Sequence, residues 1–388
     1  MAESVFRIRD YAEKSIDFQV ILKLGIWGMS FAFCVFYYRL WAKKLLQIDN
    51  IFQVLLLLLI VISCFYAPNT LYSLASAFSL IAVLFMLLMS SSVLTNQELL
   101  RQIILGCTLV IAASIAVYFI NPDFGQMKEW VNGTLVSSGR LSGITGTANA
   151  CGYIAAMALL ALYYYRKHLS RLGISYWLCI TINLAGLLMS NSRTAIAALI
   201  LSLLIASIIT ATTARLAGIF LCICIALIAL ASLDMESVFQ MLSRSGDANE
   251  IMSGTGRTAI WATVADLISQ RPLFGWGYAA SNTLIPSATA DVGFTANHAH
   301  NAFLQVALSI GYVGLTLFIA MLLVKVYFSF KSREQLNIAF IFFLLIDGLT
   351  EPIAFQGPAT TTTLVLATVL ALNYRHSHAT KTHYPSYK

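Results

Sequence analysis

Two histidines, two asparagines and three arginines stand in the few polar stretches of this chain, and these residue types could carry proton transfer and anion binding. His298 and His300 lie two apart in Asn297-His-Ala-His-Asn301, and imidazole is the side chain whose ordinary pKa allows proton transfer near neutrality. Arg257 opens Arg257-Thr-Ala-Ile-Trp261, and Arg193 follows Ser190-Asn191-Ser192. A guanidinium presents five donors in a fork that matches phosphate oxygens, so either arginine suits an anion clamp. Arg193 reads equally well as an arginine snorkelling to a membrane interface. A spacing of two does not put both histidines on one helical face, so a shared helix-borne metal site is not expected. The plain alternative for the pair is interfacial imidazoles with satisfied hydrogen bonds. Arg140 lies in Gly139-Arg-Leu-Ser-Gly-Ile-Thr-Gly-Thr-Ala-Asn149, whose glycines either let backbone N–H groups approach an anion or make a flexible re-entry loop. Asp347 and Glu351 close an apolar run; a buried carboxylate there needs a cation, which Arg193 or Arg257 would supply, and structural ion pairing is the plain reading.

The elements that must position these groups are membrane helices. Of 388 residues, 59% are hydrophobic and 11% charged, against about 25% charged in soluble domains, which excludes an ordinary soluble protein. The apolar runs are long and nearly free of charge, and roughly 20 such residues cross the hydrocarbon core, which selects an all-α polytopic bundle over a barrel of short strands. About eleven spans, or twelve if one is merged near the N-terminus, are expected near 19–38, 51–67, 71–94, 102–120, 151–165, 174–190, 194–212, 216–233, 302–328, 336–350 and 358–374. The chain reads as a single integral membrane domain over 1–388, with a large loop, 234–301, inserted between two spans.

Arg39, Lys43 and Lys44, then Arg166, Lys167 and Arg171, then Lys331 and Arg333, fall on one side by alternation, and the positive-inside rule makes that side the cytoplasm. The same alternation gathers Asn121–Ala150, Asn191–Arg193, Asp234–Asn301 and Glu351–Gly357 on the outer face. It also places Met1 outside, although Arg7, Arg9 and Lys14 favour the inside. Met1–Phe18 has no cleavage-site pattern and is not expected to be a signal peptide. Within the large loop, Ile260, Trp261, Val264, Leu267 and Ile268 recur at helical spacing and predict a short amphipathic helix from Arg257 that ends before Arg271-Pro272. Gly275-Trp276-Gly277 then reads as a flexible aromatic turn.

The net charge of +7 resides largely in short loops between spans, so nucleic acid is not expected as a partner. The seven cysteines lie in or beside apolar runs without the spacing of metal sites or extracellular disulfides, and read as packing residues. No strong internal repeat or paired interrupted helix announces a carrier.

Taken in order, the outer residues resemble the O-antigen ligase and polymerase superfamily of bacterial envelope glycosyltransferases. The resemblance rests on four blocks: Gly139-Arg140-Leu-Ser-Gly with Asn149; Ser190-Asn-Ser-Arg193-Thr; Gly256-Arg257-Thr-Ala-Ile-Trp261 with Pro272-Leu-Phe-Gly275-Trp-Gly277; and His298-Ala-His300-Asn301-Ala-Phe-Leu304-Gln305 leading to Gly311-Tyr-Val-Gly314. It covers about half the chain, and the first four spans match only as hydrophobic segments. It implies a multi-pass protein of the bacterial inner membrane that uses no cofactor or metal. Such an enzyme takes a glycan from an undecaprenyl-pyrophosphate carrier on the periplasmic face and joins it to an acceptor sugar. By motif, Arg193, Arg257 and His300 are the catalytic residues that the resemblance implies. Arg140, His298, Asn301, Trp261 and Glu351 are the expected substrate-binding residues, and His298 is the alternative to His300.

The implied partners are the lipid-linked glycan donor, a glycan or lipid A core acceptor, membrane lipids and, for a polymerase, a chain-length regulator. A polysaccharide repeat-unit polymerase is the first reading, and an O-antigen ligase acting on lipid A core is the second. A flippase or other carrier is the alternative from another class, but it would need polar groups near the middle of several spans rather than at one face. A membrane scaffold would not need Arg193, Arg257 and His300 on one side. Enzymes that glycosylate proteins commonly add a large periplasmic domain that these spans and loops do not contain.

Overall fold

The computed structural model describes residues 18–47, 50–131, 134–166, 173–212, 216, 257–289 and 296–372. Among these the chain forms a helical bundle. Its first helices are α1 (Phe18–Phe36), α2 (Tyr38–Leu45), α3 (Ile51–Ser63), α4 (Thr70–Val93), α5 (Asn96–Ile120) and the short α6 (Pro122–Gly125). A hairpin of β1 (Gln126–Val131) and β2 (Thr134–Leu141) follows, then α7 (Ala148–Tyr165), α8 (Gly173–Ser190) and α9 (Arg193–Ile209). The remainder is α10 (Arg257–Gln270), α11 (Ser281–Thr289), α12 (Ala302–Ser332), α13 (Gln335–Gly348) and α14 (Thr361–Ala371). Helices α1, α4, α5, α7 and α12 are long and apolar enough to cross a membrane, and α3, α8, α9 and α13 are shorter apolar helices. The chain is therefore a helical membrane protein.

Each expected span coincides with helix except the one near 216–233, which apart from Leu216 lies outside the described residues. Helix α5 begins six residues before the expected 102, because Thr95 and Glu98 close a capping box: the Thr95 hydroxyl accepts from the Glu98 N–H and the Glu98 carboxylate accepts from the Thr95 N–H. Its polar first turn, Asn96-Gln-Glu, hides that start from a hydropathy reading. The antiparallel hairpin is an element that the apolar periodicity does not announce.

Two close approaches hold the bundle together around the site. Helix α7 is buried along most of its length, since Gly152, Ala155, Ala156, Ala158 and Ala161 let its backbone pack against α5, α8 and α9. A Cβ at Gly152 would lie 2.5 Å from Ser192 Cβ and 2.6 Å from Ser190 Oγ, so only glycine allows the α8–α9 turn to sit against the start of α7.

The second approach is a break in α12 at Ile310 and Gly311, where Gly311 has φ 69° and ψ −172°. The loop after α10 fills that break backbone to backbone. Trp276 N–H donates to Leu308 O at 2.9 Å and Gly277 N–H to Ser309 O at 2.8 Å, while Tyr312 N–H donates to Pro272 O at 2.7 Å and Val313 N–H to Leu273 O at 3.2 Å. Groups freed by the break are thereby satisfied, as a helix interrupted at a membrane requires. The expected flexible turn is thus a fixed plug, and Arg271 stacks over Trp276 with 4.2 Å between guanidinium carbon and ring centroid. The segment after the break, Tyr312–Ser332, is about 31 Å long at 1.5 Å per residue, about the thickness of a hydrocarbon core, so it is by itself long enough to cross one.

A Cβ at Gly311 would fall 2.2 Å from Leu273 O, and its φ and ψ are those only glycine adopts readily. Gly311→Ala is expected to cost about 1–3 kcal/mol from backbone strain alone, before the clash is counted. The measurement is the melting temperature in detergent, where a value equal to wild type would show that the plug is not held this way.

Candidate active site at one end of the bundle

Glu351 is the hub of the site. It follows α13, with its N–H still donating to Asp347 O at 2.9 Å, and is 8% exposed. Its oxygens are divided between neighbours. Oε1 accepts from Asn149 Nδ2 at 2.9 Å and faces Arg257 Nη2 at 3.4 Å, and Oε2 faces His300 Nδ1 at 3.9 Å. Asn149 is in turn held by Arg140, whose Nη2 donates to Asn149 Oδ1 at 2.9 Å and whose Nε donates to Ser190 O at 3.0 Å. Residues from the hairpin, α7, the α8–α9 turn, α10, the start of α12 and the loop after α13 therefore meet at one end of the bundle. These are the segments that charge alternation assigns to a common face.

The loop that carries Glu351 is buried, and its carbonyls are accounted for. Tyr278 Oη donates to Ala354 O at 2.8 Å and to Gly357 O at 3.2 Å, and Gln305 Nε2 donates to Phe355 O at 3.1 Å. Ile353 holds φ 58°, a strained value for a β-branched residue that the surrounding contacts enforce.

The histidines are positioned by a second set of contacts. They lie in a loop, not in a helix, because Asn301 caps α12: its Oδ1 accepts from the N–H groups of Phe303 and Leu304 at 2.9 and 3.1 Å. Asn301 Nδ2 also donates to Leu349 O at 3.2 Å, which ties the histidine loop to the end of α13. Ala299, between the two histidines, is gripped on both sides. Its N–H donates to Gln305 Oε1 and its carbonyl accepts from Trp261 Nε1, both at 2.9 Å. With His300 in the left-handed region at φ 47°, the two rings meet edge to face with centroids 4.0 Å apart. The helical-face argument against a shared site therefore does not apply.

Both imidazoles are held neutral at neutral pH. Burial and then the Arg257 charge push His298 down to about 4. Burial, His298 and Arg257 together hold His300 well below the usual imidazole range, although a quarter of its side chain stays exposed. Burial raises Glu351 above the ordinary carboxylate value, and Arg257, the Asn149 hydrogen bond and Arg140 pull it back. A neutral imidazole backed by a carboxylate and flanked by a guanidinium can accept a proton and stabilise an anion.

The expected site residues divide in this geometry. Arg257, His298, His300 and Glu351 form one cluster, in which Arg257 pairs with Glu351. Arg193 is half-buried and opens α9 three residues beyond Ser190, whose carbonyl Arg140 holds. Arg140, Trp261 and Asn301, expected to touch substrate, donate to protein acceptors and hold the cluster in shape. Asn149 and Gln305 stand within the sequence motifs without a role of their own, and Tyr278 stands in none of them. A polar side chain at the buried end of an apolar run was the signal that could have marked Asn149 and Gln305.

The fold and this cluster define a helical membrane protein with a basic, imidazole-bearing site at one end. Residues 178–319 match the family model for the O-antigen ligase domain, Wzy_C, so this part of the chain is similar to the O-antigen ligase and polymerase superfamily. The matched residues include Arg193, Arg257, Trp261, His298, His300 and Asn301 and end before Glu351. Comparison with curated proteins finds no match.

Proposed function

We propose that the protein is a polysaccharide repeat-unit polymerase that transfers a glycan from undecaprenyl pyrophosphate to an acceptor sugar at the periplasmic face of the bacterial inner membrane. The observation that carries this reading is the junction of Arg257 and His300 on Glu351, within and beside a segment that matches a glycosyltransferase-type family. The acceptor hydroxyl oxygen attacks the anomeric carbon of the donor while the bond from that carbon to the pyrophosphate oxygen breaks. The hydroxyl proton passes to His300 Nε2, since Nδ1 faces Glu351. Arg257, with Arg193, neutralises the charge that grows on the departing pyrophosphate. One displacement of this kind inverts the anomeric centre and needs neither a nucleophilic side chain nor a metal.

An O-antigen ligase is the second reading, favoured by the description of the matched family. Gene deletion with plasmid complementation separates the readings when the glycans are resolved on gels. Loss of long polymer with single repeat units remaining is the polymerase result. Long chains stranded on the lipid carrier are the ligase result. Unchanged glycans under conditions of expression would favour a carrier instead.

The acid limb of the rate profile follows from His300. Its neutral form is the base, and because its pKa is lowered, that form persists as pH falls past 6.5 and is lost only further into acid. Transfer in membranes is therefore expected to be insensitive to pH around 6.5. A half-maximal rate at or above pH 6.5 would contradict His300 as the base in this setting.

A further inference from the structure

We infer that His298, His300 and Glu351 form a reversible binding site for a divalent transition-metal ion of the zinc type. One ligand atom from each residue lies within 4.8 Å of the others. Nδ1 of His298 and Nδ1 of His300 are both buried without a hydrogen-bond partner, which is costly for polar atoms unless something else engages them. Two imidazoles and one carboxylate are a donor set suited to zinc. Its bonds of about 2.0–2.2 Å would draw these atoms together and leave a fourth position open. Nitrogen donors disfavour magnesium and calcium.

The support around the three residues is that of an oriented site. Ala299 is fixed through both its N–H and its carbonyl, which sets the spacing of the two rings. Asn149 holds Glu351 Oε1 and leaves Oε2 turned toward His300. Arg257, 3.4 Å from Oε1, opposes a second cation, so the ion competes with the arginine for Glu351 rather than occupying a permanent cage. An ion on His300 would remove that imidazole from proton transfer and inhibit the enzyme. This consequence rests on the glycosyltransferase reading; the binding itself does not.

The test is competitive titration of zinc against a chromophoric chelator, using the full chain in detergent without an affinity tag. His376→Ala, His378→Ala and His383→Ala are introduced together as the background, because these tail imidazoles offer rival donors. One equivalent of zinc is expected to bind. His298→Gln and Glu351→Gln should each weaken it at least about tenfold, and His168→Ala should not. Both glutamine variants keep a polar group of similar size, and size-exclusion elution matching the parent confirms that they fold. Absence of stoichiometric binding, or affinity unchanged in both variants, would overturn the site. Zinc that binds as expected yet leaves glycan transfer intact would uphold the site and count against His300 as the base.

Discussion

Arg257→Ala is expected to lower glycan transfer about a hundred- to a thousandfold, the usual effect of removing one donor aimed at developing negative charge. The loss should fall on kcat, because the charge on the pyrophosphate grows as the bond breaks. The substitution also strips a buried carboxylate of its cation, and breaking a buried pair costs about 3–5 kcal/mol in general. Glu351 keeps Asn149 as a donor and already has a raised pKa, so it can take up a proton and limit the damage. Arg257→Ala combined with Glu351→Gln separates the two effects: it should recover thermal stability and leave transfer as low as in the single variant. Recovery of transfer in the double variant would mean that the arginine serves only to neutralise Glu351.

His300→Asn is expected to reduce transfer about a hundred- to ten-thousandfold, the range for loss of a general base. Asparagine is the informative replacement because the position holds φ 47°, which asparagine tolerates better than alanine. The backbone that positions His298 and Asn301 is then preserved while the proton acceptor is lost. Assays in membranes normalised to protein abundance give the comparison with His298→Asn. A larger loss at His298 than at His300 would exchange their roles.

The membrane helices were legible from composition alone, since a run of about 20 apolar residues has few other solutions. The break in α12 was not, because Gly311 sits in an unbroken apolar run and glycine alone does not interrupt a membrane helix. What makes the break is its partner, the Pro272–Gly277 loop, and no local period records a backbone pairing between segments that far apart in sequence. The site divides in the same way. Arg257, His300 and Glu351 stood out as ionisable groups at the edge of a membrane. Their convergence did not, because the Asn149–Glu351 and Arg257–Glu351 contacts are tertiary. The histidine pair shows how a local rule misleads when the element is assigned wrongly. Spacing of two argues against a common site on a helix, but Asn301 is a recognisable N-cap, and residues before it belong to a loop.

If the proposed function holds, this chain itself transfers a glycan, with Arg257 neutralising the pyrophosphate and His300 taking the hydroxyl proton. The most direct measurement reconstitutes the purified protein in liposomes with an undecaprenyl-pyrophosphate oligosaccharide. Released pyrophosphate carrier and lengthened glycan are then followed, with the anomeric configuration of the new linkage read by nuclear magnetic resonance. The predicted result is carrier release matched by elongation, an inverted linkage, and loss of both with Arg257→Ala and with His300→Asn. Donor left intact by the folded wild-type protein, or elongation that survives both substitutions, would contradict it.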